Sequence, residues 1–218
     1  MTSAAGRPAG TGRILYLHGF ASSPVGRKVE TLRQLLGPEG IEICAPDLNV
    51  PDFAHLDFDA MVSRARTEAE AATPDAIAGS SLGALVALAV APAVPRAPLV
   101  LVAPALGFGR RWIEKLPAGD PVSFFHYGEN RERPIHRRFF ERMAALAVDR
   151  RPPAARVTLV MGTRDESVPL EGVEETWRRW TASGALARES RFVAIEGGDH
   201  GLTAHVPEIA AEIRRALS

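Results

Sequence analysis

The sequence predicts a doubly wound α/β fold built on a mainly parallel, six-stranded sheet. Six short runs rich in Val, Ile and Leu recur along the 218 residues. They are continuously apolar rather than alternating, as strands buried on both faces of a parallel sheet are. Stretches with 3.6-residue periodicity lie between them, and that alternation is the signature of right-handed strand–helix–strand crossovers.

The elements follow in order. "RILYLHG" (13–19) reads as the first strand. Ser23-Pro24 fits an N-cap with proline at the first helical position, opening a helix that Gly37 closes. "IEICAP" (41–46) is the second strand and "DFDAMVSRARTEAEAA" (57–72) the next helix. "DAIAGS" (75–80) and "SLGALVALAVA" (81–91) form a strand and helix with almost nothing between them. "APLVLVAP" (97–104), "ARVTLVMG" (155–162) and "SRFVAIEG" (190–197) complete the strands, and helices at 170–184 and 205–217 follow the last two. Residues 1–12 read as a flexible polar lead and 13–218 as one domain. An insertion at about 107–150, rich in aromatics and arginine, interrupts it between the fourth and fifth strands, with one helix expected from about Pro134 to Ala147. A connection this long is either a cap over a site or a crossover helix with an extended approach loop.

Composition narrows the function. Lys plus Arg and Asp plus Glu both number 26, so the chain lacks the basic excess of a nucleic-acid binder. Cys44 is the only cysteine, which excludes an intrachain disulfide and a multi-cysteine metal site. The opening "MTSAAGRPAGTGR" has no apolar h-region, and no run reaches the ~18 apolar residues of a membrane span, so a cytoplasmic protein is expected. There is no H-E-x-x-H pattern and no Walker-type glycine loop; no metal and no cofactor is expected. Oligomeric state is left open.

The chemistry gathers at strand ends. "GSSLG" (79–83) lies at a strand–turn–helix junction and satisfies G-x-S-x-G with Ser81 at its centre. Such a turn projects the hydroxyl above the sheet and aims a helix N-terminus at it. Ser80 fails the spacing and reads as a turn filler. Asp165 stands just past the strand at 155–162, where functional groups of doubly wound sheets collect. His200 lies in the glycine-rich loop after the last strand. Asp199 and Glu166 are weaker rivals for the acid, and His205 reads as a helix-surface residue. The order Ser81, Asp165, His200 is that of an α/β-hydrolase triad, with Ser81 as nucleophile. The N–H groups of Leu82 and Phe20 are the expected oxyanion donors, with Gly19 admitting close backbone approach. His18 is expected to tie that loop down. Phe108, Trp112, Phe124 and Phe125 are candidates for the substrate pocket, or form a small core of the insertion.

With "YLHGFASSPVGRK", "GSSLGA" and "GGDHGL" in place, the chain resembles the α/β-hydrolase superfamily across everything after residue 12. Within it, the sequence is similar to the small bacterial YqiA-type esterases, a compact branch lacking the first strands of the full fold. Ala84 stands where that branch usually has a second glycine. The resemblance implies a serine hydrolase with carboxylesterase-type activity on a small-molecule ester, carried by Ser81, Asp165 and His200. A thioesterase or small peptidase on the same triad, or a non-catalytic binding protein, are the alternatives.

Overall fold

The computed structural model describes residues 11–218, apart from the side chains of 108–110; most of the expected flexible lead, residues 1–10, lies outside the described part. The first half runs β1 (Gly12–Leu17), α1 (Arg27–Leu36), β2 (Ile41–Cys44), α2 (Phe58–Ala72), β3 (Ala76–Ser80), α3 (Leu82–Val90) and β4 (Leu99–Val102). Then come α4 (Phe108–Ile113), β5 (Val122–His126), β6 (Arg131–Ile135) and α5 (Arg138–Ala145). The chain ends with β7 (Val157–Gly162), α6 (Leu170–Ala182), β8 (Arg191–Ile195) and α7 (Val206–Leu217).

Six strands form one sheet in the order β2-β1-β3-β4-β7-β8, and every neighbouring pair is parallel. The six apolar runs are these six strands, trimmed at their ends. β3, β4 and β7 are buried along their whole length. This follows from their central place, with helices above and below, and explains why no polar residue alternates along them. α1 packs beside α7, while α2 packs beside α3. The chain reverses its winding direction at β1 and β3, and in open α/β sheets ligands bind beyond the carboxyl ends of strands at such a switch point.

Two local expectations are corrected. α1 begins at Arg27 rather than Pro24, because Gly26 adopts an extended N-cap conformation and its N–H closes a turn on the Ser23 carbonyl at 3.1 Å. The insertion holds more than one helix. β5 and β6 form an antiparallel hairpin pairing Val122 with Ile135, flanked by α4 and α5. Pro134, expected to open the helix, instead sits in β6 opposite Ser123. In a two-stranded ribbon each strand has a free edge, so a residue without an N–H is tolerated there.

Candidate active site

Ser81 occupies the sharp turn between β3 and α3 with φ 54° and ψ −116°. A serine in this left-handed region is strained, and the surroundings hold it there. Its N–H donates to the Val102 carbonyl at 2.9 Å, and its carbonyl accepts from Ala84 at 3.1 Å and Ala105 at 3.2 Å. The flanking glycines are required by contact rather than flexibility. A Cβ at Gly79 would stand 2.4 Å from the Gly83 carbonyl oxygen, and one at Gly83 only 2.1 Å from that of Leu17. The turn therefore closes only where both side chains are absent, pressing α3 against β1 and β3.

The structure brings Ser81, His200 and Asp165 together from three separate loops. His200 Nδ1 lies 2.8 Å from Asp165 Oδ2, and Nε2 lies 2.9 Å from Ser81 Oγ. A carboxylate only accepts, so Nδ1 carries the proton and Nε2 is the acceptor facing the serine hydroxyl. The Asp165 side chain is 0% exposed and the His200 side chain 29% exposed, so the acid is sealed while the imidazole borders solvent. Asp165 Oδ1 accepts the N–H groups of Ser167 at 2.9 Å and Val168 at 2.7 Å, which fixes the other oxygen toward His200. Asp199 is no competitor, because its Oδ1 accepts from Leu202 N–H at 2.7 Å and shapes the turn carrying His200. His205 pairs with Glu208 on α7, at 3.0 Å.

The loop after β1 lies directly against the Ser81 turn. A Cβ at Gly19 would come within 3.2 Å of both the Ser80 carbonyl and Ser81 Cβ, so Gly19 is what lets this backbone approach. His18 is buried behind it; its Nε2 accepts from Leu48 N–H and its Nδ1 donates to the Gly19 carbonyl, both at 2.9 Å. That ties the loop to the segment after β2. Leu82, whose N–H opens α3, follows Ser81 directly, and Gly19, which precedes Phe20, lies against the Ser81 turn.

Above this loop sits the hairpin. Tyr127 N–H donates to the Ala21 carbonyl at 2.8 Å, docking the β5–β6 turn on residues 21–23. The Phe20 ring enters an aromatic cluster, parallel to Phe139 at 6.0 Å and edge-on to Phe124 at 5.3 Å. Trp112 and Phe140 complete it. Trp112 and Phe124 therefore belong to a core joining the inserted segment to the main sheet. Phe125 is not brought there: β-strand alternation turns it outward, where it is 40% exposed and packs on Tyr127. The Phe108 side chain lies outside the described residues.

Among the described residues no group of three or more His, Cys, Asp or Glu side chains is placed to hold a metal ion. Nor is any helix there long and apolar enough to cross a membrane. One group near the site was not singled out from the sequence. Lys28 of α1 places its Nζ 2.8 Å from Ser80 Oγ, next to Ser81. The available signal was its rarity: Lys28 and Lys115 are the only lysines among 26 basic residues.

Comparison with known proteins agrees with this architecture. The model of a family described as "Uncharacterised protein family (UPF0227)" matches residues 13–211. Among solved structures, a protein from Xanthomonas campestris pv. campestris assigned to the alpha/beta superfamily of hydrolases is 25% identical. It covers 94% of this chain and 98% of its own, with a TM-score of 0.60. Est1E from Butyrivibrio proteoclasticus, solved with ferulic acid bound, is 16% identical over 95% of this chain and 88% of its own, with a TM-score of 0.73. An esterase domain from Rhodothermus marinus is 21% identical over 95% and 88%, with a TM-score of 0.63. No curated protein sequence matches the chain.

Proposed function

The chain belongs to the UPF0227 (YqiA-like) family, and from that premise we propose that it is a serine hydrolase cleaving carboxylic esters of small or medium acyl groups. The observation that carries this reading is the unbroken hydrogen-bonded line from Ser81 Oγ through His200 to Asp165 Oδ2. The solved structures, an esterase domain among them, share the fold, but the fold alone assigns no chemistry, and the reading rests on the site.

In this mechanism the Ser81 hydroxyl attacks the ester carbonyl while His200 Nε2 takes its proton. Asp165, sealed from solvent, holds the imidazole in the required tautomer and stabilises the cation that forms. The N–H groups of Leu82 and Phe20 donate to the developing oxyanion, helped by the positive end of α3. His200 returns the proton to the departing alcohol. Water, activated by the same imidazole, then releases the acyl group from Ser81. In this reading the Trp112 and Phe124 rings, both only partly buried at the edge of the aromatic cluster, supply the apolar wall for the acyl group.

The test is hydrolysis of p-nitrophenyl esters of increasing chain length by wild type and Ser81→Ala. Turnover reduced by roughly four to six orders of magnitude in the variant is the expected result. Equal rates in both proteins overturn the reading. Stoichiometric labelling of Ser81 by a fluorophosphonate probe, absent in the alanine variant, checks the nucleophile independently of any substrate.

A further inference from the structure

The group behind the nucleophile has no part in the mechanism above. Lys28 projects from α1, and while its stem is only half-buried its ammonium is enclosed. Nζ donates to Ser80 Oγ at 2.8 Å. Ser80 is the last residue of β3, is buried, and immediately precedes the strained Ser81. The buried Tyr16 phenol of β1 meets the same hydroxyl. Beyond ion-pair distance, the charges of Asp199 after β8 and Asp165 after β7 also act on the ammonium. One of these orients His200 directly and the other builds the turn that carries it.

Enclosing an ammonium is unfavourable unless opposite charge compensates it, and here the charges of Asp199 and Asp165 offset part of that cost. A residue needed only to fill space at this point would be Met or Leu. We propose that Lys28 is a positioning residue for hydrolysis at Ser81, its ammonium tethering the nucleophile turn through Ser80 while its charge attracts Asp165 and Asp199, on the loops that place His200. This rests on the assignment of Ser81 as nucleophile.

A consequence follows for pH. Burial lowers Lys28 from its ordinary 10.5 to about 8, against the raising pull of Asp199 and Asp165. The groups that act on it are the Ser80 hydroxyl, which the Tyr16 phenol, itself raised by burial, also meets, and the two carboxylates through their charge. The charge is therefore present at neutral pH and lost as pH rises through about 8, leaving an amine that still meets Ser80 but no longer attracts the two carboxylates. Activity then falls on the alkaline side because Lys28 gives up its proton.

The test measures kcat and KM from pH 6 to 10 for wild type, Lys28→Met and Lys28→Arg, with fluorophosphonate labelling of Ser81 in each. For Lys28→Met, kcat falls on the order of ten- to a hundredfold at pH 7, the range expected of misplaced reacting groups, with KM nearly unchanged. Its alkaline limb disappears, and the gap to wild type narrows at high pH. Lys28→Arg restores kcat and stays active above pH 8, because guanidinium does not titrate there. Wild-type kcat and an unchanged alkaline limb in Lys28→Met overturn the proposal. If that variant does not fold, an arginine variant that still loses activity near pH 8 overturns it equally. Failure of the underlying reading is separate: Ser81→Ala would then retain hydrolysis, whatever the Lys28 variants do.

Discussion

An ammonium enclosed behind β3 weighs on folding at neutral pH. Below about 8 the folded protein keeps Lys28 charged in a site that disfavours the charge, while the unfolded chain carries it freely up to 10.5. Between those values the unfolded state binds more protons, so stability rises with pH as far as this group decides it. Comparing wild type with Lys28→Met cancels the other titrating groups. Urea unfolding should find wild type the less stable of the two at pH 7. By pH 9.5 it should have gained about 2 kcal/mol on the variant. A difference that stays constant with pH would mean the ammonium is solvated. Legibility at this scale divides the same way. That Ser81, Asp165 and His200 would meet was readable because it needs only residue type, place after a strand and order along the chain. Lys28 was not, because nothing local to α1 reveals that a lysine tip crosses beneath β3 to Ser80. Phe125 was misplaced because neighbouring aromatics look alike until strand alternation separates Phe124 from it.

At the scale of elements, the β3–turn–α3 unit is fixed by steric closure. Gly83 lies in the first turn of α3, where alanine normally favours a helix. Here an added methyl would meet the Leu17 carbonyl at 2.1 Å and the His18 carbonyl at 2.5 Å, both backbone atoms that no rotamer change can move. Gly83→Ala should therefore destabilise the protein by about 2 kcal/mol or more despite its propensity gain. It should also lower activity, since the displaced strand end carries the loop to Gly19 and Phe20. Melting temperature and p-nitrophenyl ester turnover check both effects, and an alanine variant of wild-type stability would mean that α3 does not press on β1 as described. The six strands could be read for a related reason: central burial forces continuous apolarity, which is visible in sequence. The hairpin could not. β5 has two buried positions, Val122 and His126, around an exposed Ser123 and Phe125, and β6 carries charge and a proline. Neither segment has a run long enough to outweigh the helical pattern that follows.

For the whole molecule, the question is whether residues 107–150 form a separable unit. Their buried side chains Val122, Ile135, Phe139, Phe140 and Met143 join the same continuous core as the strands of the main sheet. The junction runs through Phe20, which touches Phe53 on the body side and Phe124, Phe139 and Phe140 on the hairpin side. A cap that shares its core with the body and draws on an aromatic of the proposed oxyanion loop should not melt first. The three tryptophans report on the two parts separately: Trp112 lies on α4, while Trp177 and Trp180 lie on α6. In a Trp177→Phe, Trp180→Phe variant, fluorescence follows the insertion and far-UV circular dichroism follows the main sheet and helices. We expect the two urea transitions to coincide in midpoint and slope, as they must for one cooperative unit. An earlier fluorescence transition would instead identify a cap that opens over a folded body. Entry of substrate would then depend on that opening, and kcat/KM for long acyl chains should rise in low concentrations of urea before activity is lost.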